Sequence, residues 1–158
     1  MLLLAVVIAL WLFLDWMSRG AATQASGVYG PGEEAQPGAD NDADNGLGKI
    51  VQAVIHAESG GRQTDSQGNT LRSKAGALGI MQLMPSTAAQ LGVDPNDEEQ
   101  NVKGGTEYLD MLFHKYGNWF DALSAYNWGP GNVDRAQAAG QPYPKSVTGY
   151  ATKILGSI

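Results

Sequence analysis

Between Ser18 and Gly46 the chain reads SRGAATQASGVYGPGEEAQPGADNDADNG, a stretch with almost no large apolar side chains. Such a composition cannot bury enough surface to offset the entropy of ordering it, so 18–46 is expected to be a flexible, acidic, Gly- and Pro-rich linker. This divides the chain. Whatever forms a packed core must lie in 47–158, about 110 residues, which is room for one domain. The charge divides at the same place. The net charge is −6, but residues 1–46 carry six acids and one base, whereas 47–158 carry ten acids and nine bases. The expected domain is therefore near neutral, which argues against nucleic acid as a partner. There is no cysteine, so disulfides, thiolate metal sites and a cysteine nucleophile are excluded.

Before the linker, Met1 to Met17 reads MLLLAVVIALWLFLDWM, interrupted only by Asp15. As a helix it would span roughly 25 Å, the short limit for crossing a bilayer. It reads as a transmembrane anchor, with Trp11 and Trp16 suited to an interface. The competing reading is a signal segment, since Thr23-Gln24-Ala25 fits a small-x-small cleavage site, although no basic n-region precedes the apolar run.

After the linker the pattern turns helical. Leu47, Ile50, Val51, Val54 and Ile55 recur on one helix face, with Asn45 placed to cap it. Glu58 follows three near-complete turns after Leu47, so its carboxyl falls on the same buried face. Burial penalises the charged form and is expected to raise its pKa, which is how a fold keeps a carboxylic acid protonated near neutral pH. A Gly-rich connector follows from Gly60 to Gly79, then a short helix after Pro85 that ends by Gly92. Val102 to Tyr116 forms another helical face, closed by Gly117. Asn118 reads as an N-cap with Asp121 at N3, starting a helix through Tyr126 that Gly129-Pro130-Gly131 breaks. A short helix to Gly140 and a last one over roughly Ser146 to Leu155 complete an all-α domain. Asp94, Asp97, Glu98 and Glu99 read as a solvated run at a helix start, and His56 and His114 lack metal-ligand spacing.

Several short blocks then line up in order: Glu58-Ser59-Gly60; Ser73 through Gly76-Ala77-Leu78-Gly79-Ile80-Met81-Gln82-Leu83-Met84-Pro85; Asn101 and Gly104; and Ala125-Tyr126-Asn127-Trp128-Gly129-Pro130-Gly131, with Tyr150 near the end. Together they resemble the catalytic domain of the soluble lytic transglycosylases, a lysozyme-like all-α fold related to goose-type lysozyme. The resemblance covers about 47–157. It implies that Glu58 is the single catalytic acid/base, cleaving the β-1,4 bond between N-acetylmuramic acid and N-acetylglucosamine of peptidoglycan glycan strands. It also implies a 1,6-anhydro product, with the muramic 6-hydroxyl as internal nucleophile and no metal or cofactor. Ser73, Met81, Gln82, Tyr126, Asn127 and Tyr150 map onto positions that line the family's substrate groove.

These residue types suit the task. Gln82 and Asn127 each offer a donor and an acceptor, and Met81 offers an adaptable apolar contact. Tyr126 combines a ring with a hydroxyl able to reach the acid or the substrate. Each also has a plainer reading: Met81 as core filler, Ser73 as a turn cap, Gln82 as a backbone-bonding loop residue, Tyr126 and Tyr150 as core rings, and Asn127 as a C-cap. Asp121 as a second catalytic carboxylate is less economical than Asp121 as a cap.

Three departures from the family pattern stand out. The Glu58–Ser73 interval is long, as if Thr64 to Thr70 (TDSQGNT) were an exposed insertion that could restrict which glycans enter. Trp128 replaces a small residue. Lys145-Ser146-Val147 stands where the family tends to carry an acid followed by threonine. An apolar start, a linker and a wall-cutting domain together suggest a membrane-anchored protein facing the cell wall. The setting would be a bacterial envelope or secretion machine, or a phage virion.

Overall fold

The computed structural model of the protein describes residues 41–158, so the apolar segment 1–17 and most of the 18–46 linker lie outside the described residues. Six α-helices follow: α1 (Asn41–Ser59), α2 (Pro85–Leu91), α3 (Glu98–Tyr116), α4 (Trp119–Trp128), α5 (Pro130–Ala138) and α6 (Lys145–Leu155). The expected all-α class is what the described residues show, with only isolated antiparallel bridges between α1 and α2. Among them, no helix is long and apolar enough to cross a membrane.

The apolar stripe of α1 does what its spacing demands. Ile50, Val51, Val54 and Ile55 are buried together with Ile80, Met81, Leu109, Leu123, Ala151 and Ile154. Fully burying a side chain of this size contributes about 1.5–3 kcal/mol, enough for one face of a helix to hold a half-buried carboxyl at its end. One boundary differs from expectation. The helical backbone already includes Asn41, so Asn45 lies inside α1 and does not cap it. No proline lies between Asn41 and Ser59 to stop it.

The other ends follow their local chemistry. Asp97 accepts from the Gln100 amide and starts α3, with Glu98 and Glu99 at the positive end of the helix dipole. Gly117, in the left-handed region, closes it. The Asn118 side chain accepts from the Asp121 amide and starts α4 as expected. The break after α4 is narrower than the Gly-Pro-Gly triplet suggests. Gly129 alone turns the chain, and Pro130 is already the first residue of α5, where its missing N–H costs nothing.

Helix α4 is the centre of the domain. Ala122, Leu123, Ser124 and Ala125 are all buried, and α3, α5 and α6 pack around it. Small residues permit the close approach. At Gly105 in α3, an added Cβ would lie 2.3 Å from the Met81 sulfur, so the loop carrying Met81 sits directly against the helix. A second cluster of Leu112, Ala122, Ala125 and Val133 is lined by Tyr108, Phe113, Tyr116 and Tyr143.

Candidate active site

Glu58 occupies the last turn of α1, half-buried at the edge of the core. Its Oε1 accepts a 2.6 Å hydrogen bond from the Tyr150 hydroxyl of α6. Burial raises the Glu58 pKa, and the Tyr150 hydrogen bond, which favours the ionised form, lowers it; burial prevails. The raised pKa expected from the helical stripe is therefore present. The same contact pushes the Tyr150 phenol upward, first by burial and then by the adjacent carboxylate.

The chain leaves α1 through a fixed turn. Ser59 Oγ donates to Ile55 O and accepts from the Gly61 and Arg62 amides, at 3.1 to 3.2 Å. From there the connector makes three tight reversals, marked by bridges Thr64↔Thr70, Arg72↔Leu78 and Leu78↔Leu83. The second reversal is closed by Ser73, whose Oγ accepts from the Ala77 amide at 3.0 Å. The third carries Gly79, Ile80, Met81 and Gln82.

Two polar side chains hold that third reversal against α3. Gln63 Oε1 accepts from Ile80 N at 2.7 Å, while its Nε2 donates to Pro95 O and Asn96 O. Asn101, fully buried, accepts from Met81 N at 2.9 Å and donates to Leu78 O and Pro95 O. On the opposite side, the Tyr126 hydroxyl of α4 donates to Met81 O at 2.8 Å. The loop is thus tied by side chains to two helices, and nearly every backbone group it turns inward has a partner.

The result is a cleft of about 500 Å³ whose wall includes Glu58, Ser59, Arg62, Arg72, Ser73 and Gln82. Gln82 also borders a second hollow of about 280 Å³, with Tyr108, Tyr126, Asn127 and Trp128 on its wall. Gln82 is the residue common to both, and it is held in the left-handed region at φ 51° while its Nε2 donates to Gly79 O at 2.7 Å. A larger hollow of about 840 Å³ lies between α1 and α6, and Glu58 is not part of its wall.

The structure therefore brings together Glu58, Ser73 and Gln82 in one hollow and Gln82, Tyr126 and Asn127 in the adjoining one. Trp128, the aromatic departure, joins the second. Met81 is the exception. Its side chain is fully buried against α3 and presents no surface to a ligand. The plainer core reading is correct for it, because the glycine at 105 opens a slot that the flexible thioether fills. Tyr126 also differs from expectation: its hydroxyl is used on the Met81 carbonyl, and Tyr150 is the phenol that reaches Glu58. Asp121 belongs to the α4 cap and accepts from Tyr143 and Asn118. Sequence reasoning missed Gln63 and Asn101 as the two supports of the loop. Gln63 has no flanking pattern to single it out, and Asn101, although part of a motif block, carries no local signal that its side chain reaches back to the Met81 loop.

Comparison with known proteins agrees with this geometry. Residues 38–147 match the family model described as the transglycosylase SLT domain. A transglycosylase of Enterobacteria phage PRD1 is 34% identical over 110 residues, 69% of this chain and 39% of that protein. The membrane-bound lytic murein transglycosylase F of Shewanella loihica is 37% identical over 79 residues, 44% of this chain and 16% of that protein. The crystal structure of the 70 kDa soluble lytic transglycosylase of Escherichia coli superposes with a TM-score of 0.54 at 28% identity, covering 68% of this chain and 20% of that one. The chain thus spans two fifths or less of each of these relatives. On the extent of the family match, this chain belongs to the transglycosylase SLT domain family.

Proposed function

We propose that this domain is a peptidoglycan lytic transglycosylase. The single observation that carries the reading is one protonatable carboxyl in a cleft with no second carboxylate. Among the described residues on the walls of the two adjoining hollows, Glu58 is the only acid. Glycosidases that hydrolyse generally place a second carboxylate across the bond, as nucleophile or as base for a water. A transglycosylase needs only one, because the substrate supplies the nucleophile.

In this reading Glu58, whose protonated form burial favours, donates its proton to the glycosidic oxygen as the bond to muramic C1 breaks. The ionised Glu58 then takes the proton of the muramic 6-hydroxyl as that oxygen attacks C1. A 1,6-anhydro ring forms, and Glu58 is protonated again. The attack is intramolecular, so it gains from proximity. Tyr150 holds the carboxyl in place and stabilises its ionised state between the two steps. Ser73, Gln82 and Asn127 supply polar contacts along the glycan, and Trp128 and Tyr126 border a sugar site. Met81 contributes its backbone position.

We also infer a membrane tether through residues 1–17, with 18–46 as linker and the domain on the side of the cell wall. The apolar run of the sequence supports this, and similarity to a protein named membrane-bound and to a phage transglycosylase fits an envelope, secretion or virion setting. The test of the function is mass spectrometry of muropeptides released from purified sacculi by the full chain, beside Glu58→Gln. Anhydromuramic ends that fall at least about a hundredfold in the variant are expected. Reducing ends would make the protein a hydrolase. No release by the folded protein would make it a glycan-binding component.

A further inference from the structure

The hairpin between α1 and Ser73 contributes two cations, Arg62 and Arg72, to the wall of the Glu58 cleft. Its register is fixed by the bridge Thr64↔Thr70, by Leu71 N donating to Gln63 O at 2.9 Å and by Asp65 N donating to Asn69 O at 2.9 Å. Arg62 precedes this paired segment and Arg72, bridged to Leu78, follows it, and both side chains line the cleft with Glu58. At the tip, Asp65 Oδ1 accepts from the Gln67 and Asn69 amides at 2.8 and 3.0 Å. The base is fixed as well, since the Arg62 amide is bonded to Ser59 Oγ and its Nε donates to Ser59 O at 3.4 Å. On the other strand, the Arg72 guanidinium lies over Gly76, 4.0 Å from where a Cβ would stand.

Two like charges on one wall repel each other, and a carboxylate between them relieves the repulsion. Here none does. Among the described residues, neither Arg62 nor Arg72 makes an ion pair, although both are on the wall of the cleft with Glu58. The two arginines therefore stand beside the reacting acid without pairing with it. A planar guanidinium matches a carboxylate in bidentate fashion, and two of them converge on one anion better than lysines would.

We propose that Arg62 and Arg72 form a carboxylate-binding subsite next to Glu58, which takes the acidic substituent carried on the muramic residue of the glycan strand. The proposal rests on the reading of this cleft as the glycan site. The shared chemistry is a carboxylate attached through the muramic 3-oxygen. It has two sources: the lactyl group itself in strands without peptide, and the acidic residues of the stem peptide in strands that carry it.

The experiment is equilibrium binding to the full chain carrying Glu58→Gln, which stops turnover. The probes are muramic-containing glycan fragments with and without stem peptide, each as the free acid and as the methyl ester. Esterification is expected to weaken binding about tenfold, the scale of a charge-assisted pair. Adding Arg62→Gln and Arg72→Gln should erase the difference between acid and ester, and raising the salt concentration should diminish it in the parent. Arg62→Lys with Arg72→Lys should keep part of the preference, which separates charge recognition from hairpin packing. A preference seen in peptide-free fragments assigns the lactyl carboxylate; one confined to peptide-bearing fragments assigns the stem peptide. Equal binding of acid and ester by the parent, or a preference that survives both Arg→Gln changes, overturns the subsite and leaves the glycan cleft standing. Failure of every fragment to bind removes both.

Discussion

Tyr150 and Glu58, ninety-two residues apart in the chain, meet through a 2.6 Å hydrogen bond from the phenol to the carboxyl. The contact ties the last helix to the first at the point where the acid must stand. It also sets two influences against each other on one group, because burial favours the protonated acid and the phenol favours its anion.

Tyr150→Phe removes the influence that favours the anion. The Glu58 pKa should rise further, and the alkaline limb of the kcat/KM profile, where the general acid loses its proton, should move to higher pH. The carboxyl also loses its anchor, so kcat near neutrality should fall about tenfold. A profile that stays in place or moves to lower pH would show that the phenol does not stabilise the anion.

The raised pKa has a stability signature. Because burial holds the folded pKa of Glu58 above the ordinary carboxylate value, folding favours its protonated form. The stability it contributes is fully present below the unfolded value and is lost as pH rises through the folded one. Glu58→Gln should therefore melt a few degrees higher than the parent at neutral pH, and the two should converge as pH falls toward 4. Parallel melting curves across that range would rule out a perturbed Glu58.

Asn101 is the main support of the loop that bears Gln82. Asn101→Ala would leave the Met81 amide and the Leu78 carbonyl without that partner in the interior. Denaturant unfolding should show a loss of about 3 kcal/mol or more, together with lower activity. A loss below about 1 kcal/mol, typical of a surface substitution, would mean that the loop holds itself.

Two glycines in the left-handed region separate strain from space. At Gly92 an added Cβ meets nothing within 4 Å, whereas at Gly79 it would meet Asn101 Nδ2, Gln63 Oε1 and the Pro95 carbonyl, the last at 2.8 Å. Gly92→Ala should cost about 1 kcal/mol, the conformational term alone, and Gly79→Ala about 3 kcal/mol or more. Equal costs in thermal unfolding would show that the crowding at Gly79 is relieved by local movement.

Much of this was legible in the chain because it depends on near neighbours. The face of α1 follows from the spacing of Leu47 to Ile55, the start of α4 from Asn118 and Asp121, and the end of α3 from Gly117. The half-burial of Glu58 and the direction of its pKa follow from that same stripe. The motif blocks named the residues of the cleft, but they could not tell which side chains face it. A methionine in a conserved-looking block is as suited to a core slot as to a sugar, and only the gap at Gly105 decides for Met81.

The sequence alone determined the helices and the half-buried acid at the end of the first one, since these rest on periodicity and caps. Tertiary structure decided which phenol holds that acid, that Gln63 and Asn101 suspend the loop, and that Arg62 and Arg72 share the wall of the Glu58 cleft. Those relations join residues from 10 to 92 positions apart, and they exist only once packing has brought separate elements within hydrogen-bonding distance.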